Sequence, residues 1–296
     1  MTIWQHFKAA IGVVVISINL ILALIPLLIL LVLSIFRRWW PSIGPLLHQA
    51  TAFLYRCAVA VNDWWLCKVI GINWQPDPSE KGQTLPTQLD KNGSYLVIAN
   101  HQSWFDIYIL QSLVTRQGPM LSFLVKQELV YVPIIGWIIL ALRFPLLSRQ
   151  MSKQHGQQIQ SSASSDAEDK HRRDIQAIAT ACDTVKKHPT ALMNFVEGTR
   201  FTPAKQQATN SPYMHLLRPR SKGLSAMLNA LENDVEGIID ITLRYPSAPT
   251  FWQCMSGKHQ RINCRMELIP CPVESNVNDW LEQRWRLKNE TLDSSP

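Results

Sequence analysis

Residues 95–106 read YLVIANHQSWFD, an apolar run that passes directly into polar residues. The first five are typical of a short buried strand, and Ser103 to Leu113 is predicted to be helical. His101 and Asp106 are five residues apart, which on one continuous helix places them about 140° apart. They meet only if His101 lies in the turn before the helix, with Ser103 as its cap. Asp106 would then orient the imidazole, leaving its other nitrogen free to take a proton from a hydroxyl.

Strands and helices alternate along the rest of the chain. Further strands are predicted at Leu121 to Val125, Ala191 to Val196, Gly237 to Leu243 and Ile262 to Leu268, and helices at Arg172 to Lys187 and Ser221 to Leu231. This alternation predicts an α/β fold with helices on the faces of a sheet. Trp74 to Asn92 is predicted to be a loop, and the Ser/Gln-rich stretch Gln150 to Lys170 a mobile surface loop.

A second motif, FVEGTR at residues 195–200, follows another predicted strand. Gly198 allows a tight turn, and the planar guanidinium of Arg200 suits a phosphate group. From Arg200 to Lys222 the sequence contains five cations and no carboxylate: Arg200, Lys205, Arg218, Arg220 and Lys222. The pattern favours a phosphate-recognition wall over the alternative of a solvated basic loop.

The composition indicates a protein that shares its surface with lipid. Apolar residues make up 47% and charged residues 17%, whereas soluble proteins carry about 25% charged residues. The eleven tryptophans favour a membrane interface, and the net charge of +7 suits anionic partners. Nucleic acid is disfavoured, because no basic stretch shows aromatic interleaving or a readable helix. The six cysteines form no CxxC pair, which predicts reduced thiols and neither a metal site nor a disulfide framework.

The amino-terminal apolar run, Ile11 to Ile35, predicts a membrane anchor. As a helix it would measure about 37 Å, enough to cross a hydrocarbon core of about 30 Å. It is too long for a signal peptide and lacks a cleavage site. Pro26 leaves open whether the run spans the bilayer or forms two dipping helices. Cations on both flanks leave its orientation undetermined.

Three later segments have two interpretations each. Ile43 to Ile72 is predicted to be an interfacial helix or helix pair, with a core helix as the alternative. Leu129 to Leu147 is predicted to dip into the membrane and form part of an acyl-chain tunnel, and here too a buried core helix is the alternative. Val277 to Leu292, with Trp280 and Trp285, is an amphipathic helix that fits the protein surface and membrane contact equally well.

The two motifs together resemble those of the PlsC-type glycerolipid acyltransferases, which carry NHxxxxD and EGTR blocks at separate strand ends. The resemblance covers roughly Tyr95 to Pro246 and includes an intermediate block, KQEL at 126–129 followed by VPIIGW at 132–137. A narrower likeness is to the YihG-like and lysocardiolipin acyltransferase-like branch. It rests on FPLLSR at 144–149, Phe201-Thr202 and DITL at 240–243.

The resemblance implies a glycerolipid acyltransferase-like sheet with an N-terminal membrane anchor helix, and an enzyme that acylates the free hydroxyl of a lysophospholipid. His101 would be the general base and Asp106 its orienting partner. The implied acceptor site consists of Glu197, Gly198, Thr199, Arg200, Lys126 and Arg149, with Arg200 on the phosphate and Arg149 the weaker contact.

The implied organisation is a transmembrane or membrane-dipping anchor at 1–40, an interfacial helical segment at 41–75 and an acyltransferase domain at 76–296. No cofactor or metal is expected, and acyl-CoA or acyl carrier protein would deliver the acyl group. We expect an inner (plasma) membrane location with the catalytic domain facing the cytoplasm. The absence of a GxSxG elbow agrees with direct transfer.

Two alternatives to this function stay open. One is a lysophosphatidate-specific enzyme, although the valine-proline step usual in those enzymes is missing near the strand at 237–243. The other is a non-catalytic membrane lipid-binding protein, which would not need the His–Asp pair. An acyltransferase acting on a lipid A precursor is disfavoured, because such enzymes lack an EGTR block.

Overall fold

The structure is a computed structural model that describes residues 1–76, 89–147, 176, 178–232, 234–272 and 276–293. The predicted loop Gln150 to Lys170, the start of the predicted helix Arg172 to Lys187, and the candidate phosphate contact Arg149 lie outside the described residues.

A six-stranded sheet forms the centre of the protein, in the order β1-β8-β7-β2-β6-β3. All neighbouring strands are parallel except β7 and β8, which are antiparallel. Two short strands, β4 and β5, pair separately. The strands are β1 (Asn73–Pro76), β2 (Tyr95–Ala99), β3 (Met120–Phe123), β4 (Val125–Lys126), β5 (Leu146–Leu147), β6 (Thr190–Asn194), β7 (Gly237–Arg244) and β8 (Arg261–Ile269).

Helices cover both faces of this sheet. They are α1 (Ile3–Leu33), α2 (Ile43–Trp64), α3 (Asp106–Gln117), α4 (Ile135–Ala141), α5 (178–187), α6 (Pro203–Ala208), α7 (Ser221–Leu231), α8 (Phe251–Met255) and α9 (Val277–Asp293). Alternate residues of β2 show the two layers: Val97 and Ala99 belong to the core beneath α3, whereas Leu96 and Ile98 belong to the core beneath α5, α7 and α9. The α/β prediction is confirmed.

Two of the differences from the sequence prediction concern an extra strand and the start of the first motif's helix. Trp74 lies in an edge strand, β1, because residues 73–76 pair in parallel with β8; long-range pairing of this kind is not visible in local polarity. The helix of the first motif begins at Asp106 and not at Ser103. The Ser103 hydroxyl accepts the Phe105 amide inside the preceding turn, so it does not cap the helix.

The amino-terminal run forms one helix that continues through Pro26 and ends in a 3₁₀ turn at Ser34–Arg38. The interpretation as two shorter helices is therefore wrong. By length and composition this single stretch, Ile3–Arg38, could cross a membrane. Asn19, the amide inside the run, donates to the Ala58 carbonyl and to Asn62 of α2, so the two helices form a hairpin.

The hairpin lies along the domain and does not project from it. Buried residues of α1 run from Ala9 to Leu27, so one face of the helix is covered over most of its length. The opposite face exposes large apolar side chains three or four residues apart, among them Trp4, Phe7, Ile11, Val14, Ile18, Ile21, Ile25 and Ile29. We call this surface, together with the exposed apolar side chains of α2 (Leu46, Phe53, Val61, Trp64), the apolar face.

The segment Leu129 to Leu147 contains α4, which packs beside α1. Ile139 and Leu142 are buried, whereas Trp137 and Leu140 are exposed, so it is neither a fully buried core helix nor free of the domain. Gly136 lets the chain fold back tightly, since a Cβ there would lie 1.8 Å from the Val130 carbonyl oxygen.

The carboxyl-terminal helix α9 packs on the sheet. Trp285 is fully buried in the core beneath it, and Trp280 is partly buried against the same core. Of the two interpretations of this helix, a surface helix of the domain fits the structure.

Candidate active site

The first motif brings His101 and Asp106 together at the carboxyl end of β2. His101 Nδ1 lies 2.9 Å from Asp106 Oδ2, with the imidazole in the turn before α3 and the carboxylate on its first residue. Both side chains are buried. This is the arrangement that the five-residue spacing required, and it leaves Nε2 of His101 outside the contact with Asp106.

The Asp106 carboxylate accepts three further hydrogen bonds. Oδ2 accepts from the amides of Gln102 and Ser103, at 2.7 and 2.9 Å. Oδ1 accepts from the Tyr245 hydroxyl at 2.5 Å. Donors on both oxygens stabilise the charged carboxylate in a buried place. Asp106 is therefore fixed in position and can in turn fix the ring of His101.

The imidazole is also held from its face. The ring of Phe195 stacks on that of His101 with centroids 3.9 Å apart. Asn100, the residue before His101, exchanges two hydrogen bonds with the backbone of Leu243, which fastens the end of β2 to β7. These contacts leave the ring little freedom to rotate.

Glu197 of the second motif is buried, and its carboxylate serves the backbone. Oε1 accepts from the His101 amide at 2.9 Å, and Oε2 accepts from the Leu217 amide at 2.8 Å. Burial raises the pKa of Glu197 to about 8, an effect that the two amide hydrogen bonds partly offset. The sequence interpretation placed Glu197 in the acceptor site, whereas the structure shows a carboxylate that connects the two motifs.

Gly198 makes the turn that follows. Its φ of +71° lies in the left-handed region, and its amide donates to the Phe195 carbonyl at 2.8 Å. After this turn the chain returns to the first motif, where the Phe201 amide donates to the His101 carbonyl at 2.7 Å. A side chain at residue 198 would strain this turn.

Cationic groups follow the second motif, and one of them reaches Trp104, whose ring centroid lies 6.4 Å from that of His101. The Arg200 guanidinium lies 4.8 Å from the ring centroid of Trp104, inside the first motif. Lys205 Nζ donates to Thr199 Oγ1 at 2.7 Å and to the Arg200 carbonyl at 3.0 Å. Partial burial lowers the pKa of Lys205, and the charges of Arg200 and Lys126 lower it further. We call Arg200, Lys205 and Lys126 the cation cluster.

Not all five cations of the predicted phosphate-recognition wall lie together in the structure. Arg218 lies 3.7 Å from Glu282, on the side of α9. Arg220 packs over Gly198, behind the turn. Thr199 contributes its hydroxyl to Lys205. Of the wall, Arg200 and Lys205 lie next to each other, and Lys126 from the intermediate block is close enough for its charge to act on Lys205.

Sequence reasoning missed three residues of this site: Tyr245, Phe195 and the separate role of Lys205. Tyr245 follows β7, and β7 lies parallel to β2. Since the carboxyl ends of parallel strands meet at one edge of a sheet, the position of Tyr245 after a predicted strand was a usable signal. Phe195 was quoted in the second motif, and Lys205 was counted in the basic wall, but no local feature separated either from its neighbours.

Comparison with known families supports the same two motifs. The family model described as Acyltransferase matches residues 81–245, more than half of the 296-residue chain, and includes both motifs. The chain belongs to the acyltransferase family. The resemblance noted in the sequence is confirmed at this level, while the narrower YihG-like and lysocardiolipin acyltransferase-like branch stays a prediction.

Curated relatives of this acyltransferase-family chain carry names of one kind. The 1-acyl-sn-glycerol-3-phosphate acyltransferase delta of Rattus norvegicus is 26% identical over 272 residues, covering 84% of this chain and 65% of that protein. The 1-acyl-sn-glycerol-3-phosphate acyltransferase 3 of Arabidopsis thaliana is 28% identical over 280 residues, covering 88% and 65%. The chain thus spans about 65% of the length of these relatives.

Among solved structures, the chain is similar to the 1-acyl-sn-glycerophosphate acyltransferase PlsC of Thermotoga maritima. The sequences are 13% identical, the TM-score is 0.49, and the match covers 95% of this chain and 99% of that one.

Proposed function

We propose that this chain transfers a fatty acyl group from an acyl thioester to the free hydroxyl of a phosphate-bearing lysophospholipid. The observation that carries the proposal is the buried His101–Asp106 pair, with Arg200 of the cation cluster over the ring of Trp104, which lies next to the imidazole. The names of the curated relatives favour a 1-acylglycerol-3-phosphate as the acceptor.

The proposed chemistry needs one base. Nε2 of His101 takes the proton of the acceptor hydroxyl while that oxygen attacks the thioester carbonyl. The tetrahedral intermediate then collapses, the carbon–sulfur bond breaks, and the imidazolium returns its proton to the departing thiolate. Asp106 stabilises the positive charge on the ring between these steps. The thioester is already activated, so no covalent acyl-enzyme is required.

The cation cluster supplies the acceptor contacts. Arg200 presents a planar fork to the phosphate, held flat by Trp104. Lys205 adds a charge and fixes the Thr199–Arg200 backbone, and Lys126 adds a third charge. In this proposal Glu197 and Gly198 shape the turn, and they do not contact the substrate.

The membrane is the proposed source of the acceptor. The apolar face gives the hairpin a surface suited to the hydrocarbon boundary of a bilayer. Because one face of α1 packs on α2, α4 and α8 while its other face is exposed, a hairpin lying in the membrane surface fits better than a perpendicular span. The inner membrane, with the domain on its cytoplasmic side, is the location we propose.

A direct assay tests the function. Purified full-length protein is given labelled acyl-CoA, or acylated acyl carrier protein, with a panel of acceptors: lysophosphatidate, lysophosphatidylglycerol, lysophosphatidylcholine and monoacylglycerol. We expect a diacyl product from the phosphate-bearing acceptors and none from monoacylglycerol. His101→Ala is the control and should form almost no product while staying folded. Equal product from the wild-type protein and His101→Ala, or none with either donor, would refute acyl transfer and leave a lipid-binding protein.

A further inference from the structure

A cavity of about 300 Å³ lies at the edge of the sheet opposite to His101. Its floor includes Met120 and Thr190, the first residues of β3 and β6, whereas the candidate active site follows the last residues of β2 and β6. A strand advances about 3.3 Å per residue, so roughly 15 Å of β6 separates the two places. The cavity is therefore distinct from the acyl-transfer site.

The polar side of the cavity is basic. Arg37, Arg143 and Lys187 line it together with His48 and His188. Of the described residues in the lining, Asp183 is the one that is acidic. Among the described residues, none of the three permanent cations has a carboxylate within ion-pair distance. These cations repel one another. Burial is the larger cause of the lowered pKa of Arg143 and of His188, and the neighbouring positive charges lower both values further.

Two backbone features and a pair of stacked rings lie at these cations. Arg143 has a φ of +55°, a left-handed conformation that a non-glycine residue adopts at a cost. Gly44 makes room for Arg37, because a Cβ at residue 44 would lie 3.2 Å from its Nε. The rings of His48 and His188 stack at 4.1 Å, and burial with nearby positive charge lowers the pKa of His48 to about 4. The stacked rings are thus neutral hydrogen-bonding groups.

Apolar side chains of the hairpin and of the segment after α4 complete the lining. Leu30 and Leu31 come from the end of α1, Leu47 from α2, and Leu142 follows α4. Trp39 and Trp40, both 66% exposed, mark the same end of the hairpin and are suited to a membrane–water interface. A ligand here meets both positive charge and hydrocarbon.

We propose that this cavity binds the phosphate headgroup of an anionic membrane lipid, with the start of an acyl chain against the leucines. The two guanidinium groups match phosphate oxygens in a fork, and Lys187 adds a third charge. A bilayer lipid is favoured over a free phosphate ion because the lining continues into the apolar hairpin. The bound lipid would fasten the hairpin, α4 and α5 to one another at the membrane surface. This site does not depend on the proposed acyl transfer.

The test measures lipid binding by the full chain in an uncharged detergent, by calorimetric titration. The probes are dihexanoyl phosphatidylglycerol, dihexanoyl phosphatidylcholine and inorganic phosphate. We expect saturable binding of the anionic lipid, and weaker binding of the other two by about tenfold or more. The variant R37Q/R143Q should weaken binding of the anionic lipid by about tenfold or more. R38Q/K91Q, which removes the same charge from exposed residues outside the cavity, should bind as the wild type does.

Two further variants test whether the lipid binds in this cavity or at the acyl-transfer site. Thr184→Glu places a carboxylate in the cavity from the exposed side of α5 and should also abolish binding, while circular dichroism reports whether each variant is folded. Lys126→Gln/Arg200→Gln removes charge from the cation cluster and should leave this binding unchanged. The proposal is overturned if inorganic phosphate binds as tightly as the lipid, if R38Q/K91Q loses as much as R37Q/R143Q, or if folded Thr184→Glu binds normally. Binding lost in the cation-cluster variant would overturn it as well, by placing the lipid at the acyl-transfer site.

Discussion

The Glu197 carboxylate accepts the backbone amide of His101 at 2.9 Å, across 96 residues of sequence. Its second oxygen accepts the Leu217 amide, so the side chain holds together the turn of the first motif, the turn of the second and the segment before α7. The glutamate of the EGTR block therefore joins the backbone of the two motifs. This relationship makes the two motifs one structural unit.

Glu197→Gln should damage both stability and turnover. A glutamine side chain has one acceptor oxygen, so its amino group would face one of the two backbone amides and leave it unpaired. A buried unsatisfied donor costs about 1–3 kcal/mol. We expect a lower free energy of unfolding in denaturant titrations, and a lower kcat from displacement of His101. Glu290→Gln, on the exposed side of α9, is the matched control. Wild-type unfolding and turnover in Glu197→Gln would contradict this role.

The stability of the protein should depend on pH through the same residue. The pKa of Glu197 rises from an ordinary 4.5 to about 8 in the folded protein. Between these values the folded state binds the proton more tightly, so this contribution to stability is complete below pH 4.5 and is lost as the pH rises to about 8. One group changes the free energy of unfolding by at most about 1.4 kcal/mol per pH unit. Because histidines titrate in the same range, the measurement is the difference between wild type and Glu197→Gln from pH 5 to 9. A constant difference would contradict the assignment.

Tyr245→Phe should slow the reaction less than His101→Ala does. The phenylalanine removes one of four donors to Asp106, and a hydrogen bond to a charged group is worth about 1.5–3 kcal/mol. Turnover should fall by about tenfold to a hundredfold with little change in KM, whereas removing a general base costs about 10²–10⁴. Tyr108→Phe is the control, since the Tyr108 ring packs on Phe105 and Phe251 and takes no part in the bonds to Asp106. Equal kinetics for the two tyrosine variants would exclude a positioning role for Tyr245.

Lys205→Met tests the cation cluster. Loss of its contacts with Thr199 and the Arg200 carbonyl removes one charge and loosens the backbone that carries Arg200. We expect KM for a phosphate-bearing acceptor to rise by about tenfold, with kcat less affected, as for a charge-assisted contact. Lys205→Arg should recover part of the affinity, and Lys91→Gln, on an exposed turn, should behave as wild type. If kcat fell and KM did not, Lys205 would act on the chemical step and not on acceptor binding.

The sequence predicted the geometry of the His101–Asp106 pair better than it predicted the contacts of the surrounding residues. The strands β2 and β6 and the pair His101–Asp106 follow from local patterns, because apolar runs and a five-residue spacing are local features. The role of Glu197 does not, since its two partners are backbone amides 96 and 20 residues away. Any residue type can supply a backbone amide, so these two hydrogen bonds cannot be read from the identities of the residues. They depend on the sheet, which brings the two strand ends together.

The same limit explains β1 and α9. The strand at Trp74 exists through parallel pairing with β8, a contact far along the chain. The amphipathic pattern of α9 was visible in the sequence, but the surface on which this helix packs was not. Its buried polar partner is Asp240, a residue that entered the sequence argument only as part of the DITL likeness. In the structure Asp240 is an anchor for this helix.

Asp240→Asn should therefore strongly destabilise the fold. Asp240 on β7 is buried and pairs with Arg284 and with Lys288, both on α9. Lys288 is itself buried and also donates to the Ile241 carbonyl, so it cannot reach water when the carboxylate is removed. Breaking one partner of a buried ion pair costs about 3–5 kcal/mol, because the remaining charge stays buried. We expect a loss of this size in denaturant unfolding. Glu290→Gln, an exposed carboxylate on the same helix, should stay within about 0.5 kcal/mol of wild type. A similarly small loss in Asp240→Asn would mean that α9 is held to the sheet by apolar contacts such as those of Trp285, and that the ion pairs contribute little.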